Sequence, residues 1–255
     1  MEVFGLDLAG LLPFLAVGFA AQLIDGALGM AFGVITNTML VGLLGVPPAQ
    51  ASQRVHLVEC FTTAASGLSH LLNRNIDGKL FLRLAVPGVI GGVAGSTVLA
   101  NIDASTVKPF VLAYLAGIGI WLLVRGLLYP PKLREAKFVA PLGLAGGFLD
   151  AAGGGGWGPV VTSNLLIQGA EPRKVIGTVN SAEFLLTLAV SASFIYHLGL
   201  GDFATATIGL IIGGVAAAPF GALAARHFKP KVVLILVGVV LTLSSGYGAY
   251  VALGA

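Results

Sequence analysis

The sequence contains few charged residues. Lysine, arginine, aspartate and glutamate make up 10% of its 255 residues, whereas 56% are hydrophobic. The mean hydropathy is +0.96. A soluble domain carries roughly 25% charged residues, and a fold of this size could not cover a water-facing surface with the charges present. The composition therefore excludes an ordinary soluble domain and predicts an all-α polytopic membrane protein.

Features that would indicate other functions are also missing. The single cysteine, Cys60, lies in an apolar run and excludes an intrachain disulfide. The first ten residues contain no basic residue, so they do not resemble a cleaved signal peptide. The phosphate-binding pattern GxxxxGKS/T is absent, which argues against ATP-driven transport by this chain. With no basic patch and no nucleophile–base motif, we expect no nucleic-acid partner, no enzymatic activity and no cofactor.

The chain does contain ten apolar segments, most of them close to the roughly 20 residues that a membrane helix needs. They cover 4–24, 27–46, 55–72, 80–100, 109–128, 138–152, 153–169, 174–197, 203–223 and 231–252. A polar stretch divides them into two sets of five. We therefore predict a first transmembrane repeat at 1–129, a cytoplasmic linker at 130–137 and a second transmembrane repeat at 138–255.

The two sets resemble each other in sequence. Asp25 and Asp150 each open a glycine-rich stretch, DGALGMAFGV in the first set and DAAGGGGWGPV in the second. Four residues of the first set match four of the second at one constant offset: Pro48, Val55, Glu59 and Thr63 match Pro172, Val179, Glu183 and Thr187. VIGGVAG (89–95) matches IIGGVAA (211–217), where small residues suit close helix packing. These matches indicate an internal duplication.

Basic loops set the orientation of membrane helices, because lysine and arginine stay in the cytoplasm. If all ten segments cross, the basic loops at 73–83, 125–137, 170–174 and 224–231 fall on one side. Both termini are then outside and the second repeat is inverted relative to the first, as in many secondary transporters. We expect a multi-pass protein of a bacterial or archaeal inner membrane. Each Asp-containing pair, 4–46 and 138–169, could instead form a glycine-broken, re-entrant hairpin.

The run GGGGWG at 153–158 places glycines beside Asp150, although each glycine destabilises a helix interior by about 1 kcal/mol relative to alanine. At the start of a broken helix, glycine lets backbone amides approach an anion. We therefore predict that Gly155, Gly156 and Trp157 contact substrate. Asp25 and Asp150 either cap the broken helices or titrate and couple transport to protons. Close helix packing is the alternative explanation of the glycines.

A polar stripe runs along the segment 55–72 and along its repeat mate. Its members recur three or four residues apart, as on one helical face. They are Ser52, His56, Glu59, Thr63, Ser66 and His70 in the first repeat and Asn180, Glu183, Thr187 and Ser191 in the second. Because ionisable groups in a span normally face a cavity, we predict a pathway lined by substrate contacts (His56, Asn180) and coupling or gating residues (Glu59, Thr63, Glu183, Thr187). A structural network between the repeats is the alternative.

Neutral donors follow each glycine break. Asn37 and Thr38 follow the first break, and Thr162 and Asn164 follow the second. Hydroxyl and amide groups suit an oxyanion that must also be released. We predict that these four residues bind substrate.

Together these motifs resemble the TauE/SafE family, the sulfite exporters or TSUP anion permeases. The resemblance rests on DGALGMAFGV, VHLVECFTT, GGGGWGPVVTSNLL and GTVNSAEFLLT, and it covers roughly residues 15–250. It implies an integral inner-membrane protein that moves sulfur-containing anions such as sulfite, sulfoacetate or other sulfonates, mostly outward.

The leading hypothesis is a secondary transporter that alternates access by rocking one repeat against the other, with Glu59 and Glu183 in proton coupling. A passive anion channel would share the stripe without needing a titratable carboxylate. A metal or cation carrier would use Asp25, Asp150 and the two glutamates as ligands. The expected partners are a small anion and membrane lipid. The sequence leaves open whether the chain forms a homodimer.

Overall fold

The structure is a computed structural model that describes residues 2–3, 6–28, 30, 32–128, 137–168, 170–199 and 205–227, together with individual residues between 231 and 250. The predicted linker 130–137 lies outside these residues except for its last position. The predicted helical class is confirmed. Within the described ranges, a short antiparallel pair departs from it: β1 (Glu2–Val3) pairs with β2 (Leu6–Asp7) before the first helix.

Helices follow the predicted segments in order. The first half contains α1 (Leu8–Leu28), α2 (Phe32–Thr38), the π-helix π1 (Met39–Leu43), α3 (Pro48–Leu72), α4 (Gly78–Ala100) and α5 (Ala104–Leu127). The second half contains α6 (Val139–Gly153), the π-helix π2 (Trp157–Thr162), α7 (Ser163–Gln168), α8 (Pro172–Leu198) and α9 (Thr205–His227). The described residues between 231 and 250 are helical as well.

Three helices of the described part are long and apolar enough to cross a membrane: Gly78–Ala100, Ala104–Leu127 and Lys174–Leu198. Helix α6 contains 15 residues, and at about 1.5 Å per residue it is shorter than the roughly 30 Å hydrocarbon core of a bilayer. Together with π2 and α7 it forms a broken helix, and α1 and α2 form another. The breaks agree with the glycine pattern, and a re-entrant path for either pair stays a prediction.

Proline and aspartate fix the starts of several helices. Pro48 opens α3 and Pro172 opens α8, at the first helical position, where the missing N–H has no intrahelical partner to lose. Asp77 caps α4, because its Oδ1 accepts the amides of Lys79 at 2.9 Å and Leu80 at 3.1 Å. Helix α3 therefore begins at residue 48, whereas the apolar pattern predicts residue 55.

Asp103 caps α5, and we expect this cap to make stability depend on pH. The hydroxyl of Ser105 and the amides of Thr106 and Ser105 donate to its carboxylate, which lowers the pKa of Asp103. The cap therefore stabilises the fold fully above the ordinary pKa of an aspartate, and this contribution is lost as pH falls through the lower folded pKa. Asp103→Asn keeps a capping oxygen but cannot titrate. As the pH is lowered, the melting temperature of this variant should fall less than that of the wild type. Identical profiles of melting temperature against pH would contradict the prediction.

Helices of the first half pack mainly against helices of the second half. Helix α1 packs mainly against α9 and α4 against α6, while α3 packs against α8. Glycine permits the close approach: a Cβ on Gly91 would lie 2.0 Å from the main-chain oxygen of Leu144, and one on Gly213 would lie 2.1 Å from that of Leu15. These glycines hold matching positions in VIGGVAG and IIGGVAA, so the predicted packing role of both motifs is confirmed.

The match between the halves is imperfect by one helical turn. Gly18 lies in the crossing of α1 with α9 as Gly147 lies in the crossing of α6 with α4. Asp25 follows Gly18 by seven residues, whereas Asp150 follows Gly147 by three. The carboxylate of α1 therefore stands about one turn farther from its crossing. The inversion of the second half relative to the first stays a prediction.

Candidate functional site

Buried polar side chains collect where α3 and α8 meet the two broken helices. We name this cluster the central site. Its members are Asp25, Asn37, Ser52, His56, Glu59, Asp150, Asn180 and Glu183, each at most 7% exposed. Among the described residues, no buried side chain belongs to lysine or arginine. The site is therefore rich in carboxyl and amide groups, and His56 is the basic side chain among its members.

The break in the second half is a tight glycine turn. Gly154 and Gly155 have φ angles of +69° and +140°, which residues with a Cβ rarely adopt. The turn brings the amide of Gly155 within 2.9 Å of the main-chain oxygen of Asp150. The helix resumes as π2 at Trp157. The backbone conformation itself thus requires glycine at this break.

Asp150 caps the helix that resumes after the turn. Its Oδ1 accepts the amides of Gly156 at 2.7 Å and Trp157 at 2.9 Å. In the first half, Oδ1 of Asp25 accepts the amide of Phe32 at 3.3 Å. Phe32 matches Trp157 in the repeat. Each aspartate therefore caps the first residue of the helix that follows the break, α2 in the first half and π2 in the second. Their part in proton coupling stays a prediction.

The other carboxylate oxygen of Asp150 is paired with a histidine from the first half. Nε2 of His56 lies 3.0 Å from Oδ2 of Asp150, and both side chains are buried. On the opposite edge of the ring, Nδ1 lies 2.7 Å from the main-chain oxygen of Ser52. The pair therefore joins α3 to α6, and with them the two halves.

The surrounding hydrogen bonds fix the number of protons on this pair. A main-chain oxygen can only accept, so Nδ1 of His56 must donate to that of Ser52. The hydroxyl of Ser52 donates elsewhere, to the main-chain oxygen of Ala151 at 2.8 Å. The contact between Nε2 and Asp150 then needs one further proton, which either the ring or the carboxyl group carries. Both forms are neutral overall, and the pair becomes an anion when that proton leaves.

Two further hydrogen bonds tie the first half to the glycine turn. Nδ2 of Asn37 donates to the main-chain oxygen of Gly153 at 2.8 Å, and the hydroxyl of Tyr114 donates to that of Gly155 at 3.4 Å. These oxygens lie where the end of α6 leaves carbonyl groups without an intrahelical partner. The first half therefore completes the hydrogen bonding of the break in the second.

The glycine turn also touches the start of α2 directly. A Cβ on Gly155 would lie 2.4 Å from the amide nitrogen of Val34, and one on Gly33 would lie 3.1 Å from the Cα of Gly155. A Cβ on Gly156 would lie 2.1 Å from the hydroxyl of Tyr114. The backbones at the two breaks thus meet without side chains between them.

Glu59 and Glu183 are buried beside this meeting point. A Cβ on Gly33 would lie 2.8 Å from Oε1 of Glu59. Glu183 interacts electrostatically with Glu59 and with both aspartates of the site, and Glu59 interacts with the same aspartates. Four carboxyl groups, from α1, α3, α6 and α8, therefore share one poorly solvated region. These are the four carboxylates that the sequence pattern selects.

Within the described part of the chain, the buried side-chain atoms without a hydrogen-bond partner are all oxygens. They are Oε1 of Gln22, Oγ1 of Thr36, Oδ1 of Asn37, Oε2 of Glu59 and Oδ1 of Asn180. An unpaired buried acceptor costs about 1–3 kcal/mol. The atoms of Asn37, Glu59 and Asn180 belong to the central site, which therefore offers acceptors to which water, a protonated group or a cation could bond.

Several predicted residues bond to main-chain oxygens three or four positions earlier in the chain. Nδ2 of Asn180 donates to Ile176, Nδ2 of Asn164 to Val160, the hydroxyl of Thr187 to Phe184 and that of Thr63 to Glu59, in each case to the main-chain oxygen. Asn164 is half-buried, whereas Thr38 and Thr162 are buried. None of these four side-chain bonds reaches Asp150 or His56. The substrate and gating roles of all six residues stay predictions.

The backbone amides predicted to bind an anion are occupied. Gly156 and Trp157 donate theirs to the carboxylate of Asp150, and Gly155 donates to its main-chain oxygen. The side chain of Trp157 is fully buried and donates Nε1 to the main-chain oxygen of Val179 at 3.2 Å. An anion could reach the amides of Gly156 and Trp157 only after the carboxylate withdraws.

The sequence analysis assigns no substrate-binding or coupling role to two residues that contact the site. Ser52 belongs to the polar stripe, and its position four residues before His56 is the signal that could select it. Tyr114 lies in an apolar segment. The sequence KPFVLAYLAG (108–117) resembles KPKVVLILVG (229–238), in which isoleucine matches the tyrosine. No pattern identifies Tyr114 before the fold is known.

A bundle of apolar helices that encloses ionisable groups is typical of a multi-pass membrane protein with a polar pathway or site inside it. The family model "Sulfite exporter TauE/SafE" matches residues 14–248. The chain belongs to the TauE/SafE family, which confirms the resemblance of its motifs. It is 42% identical over 237 residues to "Probable membrane transporter protein YtnM" of Bacillus subtilis (strain 168), across 89% of this chain and 79% of that protein. No solved structure matches the chain at a significant level.

Proposed function

We propose that the protein is a secondary transporter that exports small sulfur-containing anions, such as sulfite, sulfoacetate or other organosulfonates, across a bacterial or archaeal inner membrane. The two repeats would rock against each other around the central site, with the basic loops in the cytoplasm and both termini outside. The family description supports the sulfur anion. The relative's name supports transport.

The acidity of the central site is the observation that carries the mechanism. Two like charges 4 Å apart repel by about 4 kcal/mol at an effective dielectric constant of about 20, and no buried lysine or arginine of the described chain offsets this. An anion would therefore enter only when carboxyl groups carry protons. Protonation removes the repulsion and converts an acceptor such as Oε2 of Glu59 into a donor. Anion binding and proton binding would thus be coupled.

The pair of His56 and Asp150 would connect this coupling to the glycine turn. A second proton on this pair would leave Asp150 as a carboxylic acid beside a protonated His56. A carboxylic acid is a weaker acceptor than a carboxylate, so Asp150 would release the amides of Gly156 and Trp157. Those amides would then be available to an oxyanion. In this scheme the carboxylate of Asp150 occupies the anion position until a proton and a substrate arrive together.

Anion flux in proteoliposomes tests the proposal. Labelled sulfite and sulfoacetate are followed with and without a pH gradient, for the wild type and for Glu59→Gln combined with Glu183→Gln. Glu171→Gln is the matched control, because Glu171 is exposed at the start of α8. We expect gradient-dependent flux in the wild type and the control. The double variant should lose the dependence on the gradient, because its amides imitate protonated glutamates but cannot release or take up a proton.

Two other results would replace the proposal. Wild-type flux that ignores the gradient, together with equal flux in the double variant, would define a passive anion channel and leave the glutamates a structural role. Absence of anion flux together with a carboxylate-dependent flux of cations would define a cation carrier, which the unpartnered acceptor oxygens of the site would also suit.

A further inference from the structure

A groove of about 440 Å³ lies outside the central site, between α3, α8 and the start of α4. Its polar lining consists of the hydroxyls of Thr63 and Ser181. The larger apolar side chains that line it are Leu68, Leu71, Ile76, Phe81, Phe184 and Leu185. The volume is typical of a site for a small organic ligand, and the lining fits a hydrocarbon rather than an ion.

The groove faces outward from the helix bundle. Leu68 and Leu71 are 58% and 60% exposed, and Leu185 is 40% exposed. In a multi-pass membrane protein, exposed leucines on a helix face meet lipid tails. The groove is therefore open to the acyl chains of the bilayer along the seam where α3 meets α8.

One end of the groove is basic. Ile76, in the turn between α3 and α4, and Gly78, the first residue of α4, line the groove. The exposed Arg74 and Lys79 flank these two residues in sequence. The acidic residue of this turn, Asp77, has its Oδ1 engaged by the amides that it caps. This end of the groove therefore carries an excess of positive charge next to its apolar lining.

The turn that carries this charge is fixed to α8. Nζ of Lys174 donates to the main-chain oxygens of Arg74 at 2.9 Å and Ile76 at 3.4 Å. The amide of Asp77 donates to the hydroxyl of Thr178 at 2.8 Å. The basic end is thus held in place relative to the apolar walls.

We propose that this groove binds one anionic glycerophospholipid, with an acyl chain against α3 and α8 and the phosphate at Arg74 and Lys79. Basic pockets beside membrane helices bind anionic headgroups through this combination of charge and apolar contact. The chain end would reach Thr63, whose hydroxyl bonds the main-chain oxygen of Glu59. Occupancy would therefore brace the α3–α8 seam beside the central site.

Lipid retention by the full chain tests the proposal. The purified protein is exchanged into micelles with equal amounts of phosphatidylglycerol and phosphatidylcholine of identical acyl chains, and retained lipid is counted by native mass spectrometry. We expect preferential retention of phosphatidylglycerol, reduced about tenfold or more in Arg74→Gln combined with Lys79→Gln. Lys108→Gln combined with Lys231→Gln removes the same charge away from the groove lining, and should leave retention unchanged.

Photocrosslinking locates the bound lipid in the unmodified chain. Phosphatidylglycerol with a diazirine near its chain end should label peptides that contain 63–71 and 181–185, and Ala64→Trp, which fills the groove, should abolish that labelling. Equal retention of both lipids, equal losses in the two charge variants, or labelling confined to other helices would each overturn the proposal. The wild-type labelling map and the surface charge variants decide the matter even if Ala64→Trp does not fold.

Discussion

Replacing Gly155 with alanine should destabilise the protein by about 4 kcal/mol, since a strained φ and an overpacked contact each cost about 1–3 kcal/mol. The φ angle of +140° is one that alanine rarely adopts, and the new Cβ would lie 2.4 Å from the amide nitrogen of Val34. Movement of the turn would break the capping bonds at Asp150, and movement of the start of α2 would break the bond between the amide of Phe32 and Asp25. For a chain of this length the melting temperature should fall by roughly 10 °C, measured by size-exclusion thermostability in detergent.

Gly117→Ala is the matched control. Gly117 is exposed in α5 and a Cβ there meets no heavy atom within 4 Å. Alanine is the better helix former by about 1 kcal/mol, so this variant should melt at or above the wild-type temperature. Equal losses in the two variants would show that the glycine turn has no special conformational requirement.

Removing the ring of His56 should be nearly as damaging as the glycine substitution. His56→Leu leaves the carboxylate of Asp150 buried without its partner, and breaking a buried pair in this way costs about 3–5 kcal/mol. Asp150→Asn should cost much less. Its oxygen still accepts the amides of Gly156 and Trp157, and its NH₂ group can donate to Nε2 of a neutral ring.

The double variant separates a specific pair from two independent side chains. His56→Leu combined with Asp150→Asn leaves no unpaired carboxylate at position 150, so it should be more stable than His56→Leu alone by about 2 kcal/mol. Melting temperatures of the four proteins give the coupling energy. Additive losses would mean that the 3.0 Å contact contributes nothing of its own.

Composition and repetition predict the helical class, the order of the segments and the two breaks, because these depend on local sequence. The starts of α3 and α5 are harder to place. Apolar runs mark only the lipid-facing part of a helix, whereas Pro48 and Asp103 extend the helix beyond it. The one-turn offset between Asp25 and Asp150 also escapes the alignment, since it becomes visible only where α1 and α6 cross their partners.

The candidate site divides in the same way. The polar stripe and the matched aspartates follow from spacing, and the structure brings the four carboxyl groups into one region. The partner of Asp150 does not follow, because His56 lies 94 positions away in the other half and its own repeat mate is Asn180. Duplication predicts which residue of one half is equivalent to which residue of the other. It does not predict which residues touch, and the central site is made by contacts across the halves.

A protein the size of one half could not cover the glycine faces of its own first and fourth helices. In this chain those faces are covered by the other half, α1 by α9 and α4 by α6. If the halves descend from one duplicated segment, as their motifs indicate, the ancestor functioned as a dimer of identical subunits. Each subunit then covered the glycine faces of the other. After gene fusion the two copies could diverge. The difference between His56 in one half and Asn180 at the equivalent position of the other is an example of that divergence.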